Sequence, residues 1–227
     1  LMCKNPRCKA NCPISTPIPE VIGLFKEDKI KEAGEILFEN NPLSVVCSIV
    51  CPHENQCKGN CIKGIKDTPV NFSETEREIS EEFLDNLELT QDTILEDKIA
   101  IIGGGPAGIT AAFILAKKGY QVTIFDENDK IGGVLRYGIP EFRLSREIID
   151  KYEEALIKLN VKISPNTLIG TVITLDMLKS DGYKAIFIAT GVWNPKTLNV
   201  KGETLGNVHY AIDYLKAPKS YNLGERV

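Results

Sequence analysis

The sequence has no cysteine beyond Cys61, no apolar run approaching a membrane span, and no cluster of lysines and arginines dense enough to mark a polyanion site. Each shortage removes a class of function. The longest apolar runs, such as IAII and AIFIA, fall far short of the ~20 residues a bilayer-crossing helix needs, and no basic segment followed by an apolar one opens the chain. With 27 basic against 31 acidic residues, a net charge of −4 and a pI near 5.4, the chain is a poor partner for nucleic acid or an acidic membrane surface. A cytoplasmic protein with neither partner is expected. No Gly-Lys-Ser/Thr follows the glycine-rich stretch at 103–108, which excludes a phosphate loop of the NTPase kind.

What is present divides the chain. At 227 residues and 43% hydrophobic, the sequence is long enough for one large domain or two modest ones. Val21, Ile22 and Phe25, then Ile30, Ala33, Ile36 and Leu37, recur at helical spacing with a break near Glu27-Asp28, so two short helices are predicted between Pro19 and Leu43. Ser73 followed three residues later by Glu76 reads as a capping box opening another helix through Ile79, Phe83, Leu84 and Leu87. The polar stretch ELTQDTILED then suits a linker, which places a boundary near residue 92. Beyond it short β-branched runs alternate with helical ones. KIAIIG, a helix from about Ala107 to Lys118, and QVTIFD form a βαβ unit. A helix from Ser145 to about Leu159 leads into the strand NVKIS. The uniformly apolar YKAIFIATG reads as a central strand of a parallel sheet.

The chemistry of the second half begins at GGGPAG, which fits G-x-G-x-x-G through Gly103, Gly105 and Gly108, with Pro106 and Ala107 between them. It stands where a strand ends and a helix begins. Glycines there permit a tight turn, close backbone approach to a pyrophosphate and close helix packing, while the helix N-terminus offers unpaired N–H groups. The next strand ends in Asp126, a carboxylate placed to accept hydrogen bonds from ribose hydroxyls, with adjacent Glu127 a competitor for that role. Dinucleotide binding follows from the whole βαβ context rather than from the motif alone.

The chemistry of the first half is sulfur. Cys3, Cys8, Cys12, Cys47, Cys51, Cys57 and Cys61 all fall in the first 61 residues. Short paired spacings in an intracellular chain point to metal or redox chemistry rather than to a disulfide framework. Thiolates suit iron-sulfur clusters, and four of them also suit structural zinc. Zinc ligands usually come as tight C-x2-4-C pairs separated by a knuckle or ribbon, whereas this interleaved order beside a dinucleotide fold favours iron-sulfur.

After Asp126 come Gly132, Gly133 and VLRYGIPEFRLS, and here the chain resembles the FAD-binding half of the small (β) subunit of NADPH-dependent glutamate synthase and its relatives. The resemblance implies an α+β architecture: a helical domain with two 4Fe-4S clusters over 1–92, then a Rossmann-like α/β FAD-binding domain over 93–227, incomplete before an NAD(P)H-binding domain. It implies that Gly133, Leu135, Arg143 and Ile169 contact FAD, and that Ala189-Thr190-Gly191 matches the ATG motif of two-dinucleotide flavoproteins. Ser145 replaces the usual proline. By the same resemblance Cys3, Cys8 and Cys61 share one cluster with a cysteine standing one position before Leu1, and Cys12, Cys47, Cys51 and Cys57 hold the other. The chain is then expected to be a fragment, with YNLGERV leading into a nicotinamide domain that it lacks, and with weak flavin retention. Where the family often has CGRVCP this chain has Cys47-Ser48-Ile49-Val50-Cys51-Pro52, so that arginine's influence is absent. His53 is read as an ordinary half-exposed histidine and Trp193 as core packing.

The implied activity is electron transfer from NAD(P)H through FAD and the clusters to a partner, in glutamate synthase a large subunit. No side chain is required as acid, base or nucleophile. Within the family a ferredoxin-NADP transhydrogenase, sulfide dehydrogenase or dihydropyrimidine dehydrogenase-like relative is the alternative. From another class, a zinc-stabilised docking module predicts colourless protein. A flavin-dependent thiol oxidoreductase is disfavoured because no cysteine accompanies the dinucleotide motifs.

Overall fold

A computed structural model of the chain describes residues 3–87 and 94–216; the boundary expected at residue 92 and the closing YNLGERV lie outside them. The chain separates into two compact units, Leu1–Thr90 and Gln91–Val227.

The first unit is helical: α1 (Arg7–Ala10), α2 (Ile18–Lys26), α3 (Ile30–Asn40), α4 (Ser44–Val50) and α5 (Phe72–Asp85). The predicted break between α2 and α3 is real, and Asp28 turns the chain there at φ 58°. Val21, Ala33, Leu37, Phe72 and Ile79 form the core together with Cys57. A hydrophobic stripe on each helix supplies it. Gly34 of α3 lets α5 approach closely, since a Cβ built on it would stand 2.6 Å from Phe83 Cβ. Gly34→Ala is therefore expected to destabilise this unit by ~1–3 kcal/mol, read as a lowered midpoint in thermal unfolding; an unchanged midpoint would show that α5 moves aside freely.

The predicted capping box does not form. Helix α5 begins at Phe72 with Asn71 before it, and the Ser73 hydroxyl donates to Asn71 Oδ1 at 3.1 Å. The cause is Phe72, 3% exposed, whose burial draws the helix start back beyond Ser73. Glu76 consequently leaves the first turn and lies on the buried face with Phe72, Ile79 and Ser80.

The second unit is a parallel sheet of β1 (Lys98–Ile102), β2 (Gln121–Phe125), β3 (Lys162–Ser164) and β4 (Tyr183–Ile188), in the order β3-β2-β1-β4. Among the described residues five helices accompany it: α6 (Pro106–Lys117), α7 (Val134–Tyr137), α8 (Arg146–Lys158), α9 (Leu175–Ser180) and α10 (Ala211–Lys216). Helix α8 starts where expected, with Ser145 Oγ accepting the Glu147 N–H at 3.2 Å, and buries Ile149, Tyr152 and Leu156. This is the Rossmann-like arrangement anticipated from the βαβ texture.

Strand β4 departs from expectation. Among the described residues it pairs with β1 alone and forms an edge, with Phe187 43% and Ile188 62% exposed. An apolar run reports that both faces of a strand call for cover; it does not report which segment supplies the cover. No helix among the described residues is long and apolar enough to cross a membrane.

Candidate functional site

In the second unit two glycine turns meet at the N-terminus of α6. Gly103, at φ 103°, leaves β1 where a side chain would collide with the Ala189 carbonyl at 2.4 Å, so the turn is tied to the end of β4. Gly105 caps α6 in extended conformation and Pro106 occupies the first helical position. Ile109 N–H is the first to bond back, to Gly105 O at 2.9 Å. The N–H groups of Ala107 and Gly108 are thus among those a helix N-terminus leaves open to an anion. The second turn arrives from the segment after β2: Gly133 stands at φ 51°, and a Cβ there would meet Gly105 Cα at 2.7 Å. Backbone faces backbone with no side chain between.

The turns are bonded to their surroundings. Gly103 N–H donates to Phe125 O, Gly132 N–H to Gly104 O, both at 2.7 Å, and Gly104 N–H to Asp126 Oδ2 at 2.6 Å. Asp126 is 4% exposed, and its other oxygen accepts from the backbone and side-chain nitrogens of Asn128. Much of that carboxylate is committed to holding the turn. Adjacent Glu127 is exposed and ion-pairs with Lys216 at 3.3 Å. Arg136, 9% exposed, donates to Ile131 O at 2.7 Å and to Asp150 at 2.6 Å, which fastens the Gly132–Gly133 turn to α8. Burial works against the Asp150 carboxylate, but the bonds and charges of Arg136 and Lys130 together outweigh it and keep its pKa low.

These elements open on a cavity of about 690 Å³. Of the expected residues, Gly103, Gly105, Pro106, Ala107, Asp126, Gly133, Ile169, Thr190 and Gly191 line it, whereas Gly108, Leu135 and Arg143 stand outside the lining. Glu127 and Asn128 line it as well. Trp193 does so too, and is therefore a wall residue rather than core, half-buried beneath the Lys216 ammonium at 5.2 Å. Its position two residues after the Ala-Thr-Gly turn was the available signal.

In the first unit all seven cysteines are free thiols, with Cys57 buried, Cys3 exposed and the rest half-buried. They fall into two neighbourhoods. Cys8 is pushed up by burial and then by the nearby Cys61 and Cys3. Burial raises Cys61 as well, but backbone N–H groups outweigh it, Val70 N among them at 3.5 Å from the sulfur. In the other neighbourhood Cys47 hydrogen-bonds Cys51, which raises Cys47 and lowers Cys51 to about 7. Cys57, raised to about 11 chiefly by burial, senses Glu76 and Cys12, and also borders a small apolar cavity with Cys3, Cys8 and Cys61. It stands at the border of both groups.

Glu76 is a second residue that sequence reasoning misplaced. Only 5% exposed, it is pushed up to about 8 by burial and by Cys51. A buried carboxyl among thiols is costly unless something cationic compensates it. His53 is half-exposed, with its Nε2 3.1 Å from Cys47 O. Among the described residues no three Cys, His, Asp or Glu side chains converge on a point that one metal ion would occupy.

Residues 1–87 match the family described as dihydropyrimidine dehydrogenase domain II, 4Fe-4S cluster. Residues 70–182 and 97–226 match the pyridine nucleotide-disulphide oxidoreductase family. The chain is 33% identical over 229 residues to the glutamate synthase [NADPH] small chain of Azospirillum brasilense, covering 99% of this chain and 47% of that one. The small chain of Bacillus subtilis (strain 168) is 36% identical over 217 residues, 93% of this chain and 43% of the relative. The NAD-dependent dihydropyrimidine dehydrogenase subunit PreT of Escherichia coli (strain K12) is 33% identical over 218 residues, 95% of this chain and 52% of the relative. The chain spans about half the length of the curated relatives it matches.

Proposed function

This chain belongs to the pyridine nucleotide-disulphide oxidoreductase family, and we propose that it forms the FAD-binding and iron-sulfur part of an NAD(P)H-dependent oxidoreductase that passes electrons to a partner subunit, as a glutamate synthase small chain does. The observation that carries the reading is the meeting of Gly105 and Gly133 at the open end of α6. Bound there, FAD supplies the conversion between hydride and single electrons, and 4Fe-4S clusters supply the single-electron relay.

The chain's own residues bind and orient. Ala107 and Gly108 N–H groups at the start of α6 would hold the pyrophosphate, and the bare backbones of Gly103, Gly105 and Gly133 would admit it at close range. Asp126 holds the turn through Gly104 and, with Glu127 beside it, presents carboxylate to the ribose. Ile169, Thr190 and Gly191 wall the cavity further along, while in the segment that follows the second turn Leu135 is buried and Arg143 exposed. Cys3, Cys8 and Cys61 are ligands of one cluster, and Cys12, Cys47, Cys51 and Cys57 hold another. Free thiols in this number fit a reducing compartment such as the cytoplasm. The partner is a large glutamate synthase-like subunit or a ferredoxin-linked protein.

Iron, acid-labile sulfide, zinc and flavin measured on the full-length protein purified without oxygen test this reading. About eight irons and eight sulfides with bound FAD are expected for two clusters. Zinc without sulfide would return the cysteines to a structural role.

A further inference from the structure

Two polar side chains that take no part in the ligand set are aimed at cysteine sulfurs. Thr16 is 3% exposed, its hydroxyl lies 3.2 Å from Cys12 Sγ, and it meets no other hydrogen-bond partner among the described residues. Either atom of that contact has a proton to offer while Cys12 is a thiol. Once Cys12 is a thiolate ligand it has none, so the Thr16 hydroxyl must be the donor.

Asn41 makes the second contact, Nδ2 to Cys47 Sγ at 3.2 Å. Its amide orientation is fixed independently. Asn41 Oδ1 accepts the Leu43 N–H at 3.1 Å, which leaves only the NH2 end to face the sulfur. The position at the end of α3 makes this a turn-locked donor rather than a rotating side chain. In the neighbourhood of Cys3, Cys8 and Cys61 the contacts to sulfur come instead from backbone N–H groups, Val70 N to Cys61 at 3.5 Å among them.

Hydrogen bonds to cluster sulfurs disperse negative charge and favour the reduced form, which raises the reduction potential. We propose that Thr16 and Asn41 are tuning residues of the cluster held through Cys12 and Cys47, setting its potential above the value the cysteines alone would give. This rests on the reading of the cysteines as cluster ligands. Glu76 faces the same thiols and bears on the absolute potential, so the test compares variants that all retain it.

The experiment is a redox titration of the full chain, purified without oxygen and followed by electron paramagnetic resonance, after iron and sulfide have been measured. Thr16→Val removes the hydroxyl at nearly constant shape, Thr16→Ser keeps it, and Asn41→Ser keeps a neutral acceptor for Leu43 N–H on a side chain too short to reach Cys47. One cluster signal is expected to move to lower potential in Thr16→Val and in Asn41→Ser, with the other signal unmoved and Thr16→Ser close to wild type. Unmoved signals in both variants at full iron content would overturn the proposal. So would an equal shift in Thr16→Ser, which would make packing the cause, or loss of iron from Thr16→Val, which would make Thr16 an assembly residue. Wild-type protein without iron and sulfide would sink the cluster reading and this proposal together, and it would be seen before any variant was measured.

Discussion

Alanine at position 108 is expected to strip flavin from the second unit and to destabilise it by about 3 kcal/mol. A Cβ on Gly108 would lie 1.9 Å from the Gly103 carbonyl oxygen and 3.2 Å from an Ile101 methyl. Neither neighbour can yield cheaply. The Gly103 peptide is held by its N–H bond to Phe125 O, and Ile101 is wholly buried in the central sheet. Relief therefore requires α6 to lift away from β1, which carries the Ala107 and Gly108 N–H groups out of reach of the pyrophosphate. Thermal unfolding and bound-flavin content on the same preparation give the answer. Stoichiometric FAD in Gly108→Ala would show that the close approach of α6 to β1 is not what positions the cofactor.

Replacing Cys57 by alanine is expected to remove about half of the iron, roughly four of eight atoms, and to leave FAD in place. Cys57 is 8% exposed and part of the helical core, but the packing loss from one sulfur atom is small, ~1 kcal/mol. Loss of a ligand is the larger effect. Flavin should remain because none of the seven cysteines lies in the unit that carries the glycine turns. Unchanged iron would remove Cys57 from the ligand set. Loss of nearly all the iron would show that its position at the border of both thiol groups makes it structural to both.

The parts of the fold that could be read from sequence are those determined within a few residues. The turn at Gly103–Gly108 is set by local sterics, and the break at Asp28 by a short polar interruption between apolar stripes. Ser145 caps α8 despite replacing proline, because an N-terminal hydroxyl needs only the N–H two residues on. The failures share a different cause. Ser73 and Glu76 have capping-box spacing, but burial of Phe72 against α2 and α3 residues decides where α5 begins. Strand β4 has the composition of a central strand, whereas its place in the sheet depends on pairing partners far along the chain. Trp193 and Glu76 were misplaced for the same reason: which way a side chain faces was settled by long-range packing. The donors Thr16 and Asn41 escaped notice because a hydroxyl and an amide near cysteines in sequence carry no signal until their distances are known.

The bonds that tie the two glycine turns to Phe125, Asp126 and each other bear on the rate of cofactor capture as well as on its geometry. A loop ordered by its own protein contacts has already surrendered its chain entropy during folding, so an arriving ligand has little left to organise. Flavin uptake by the apoprotein should then proceed in a single concentration-dependent phase at the pace of ordinary encounter, without a slow first-order rearrangement following it.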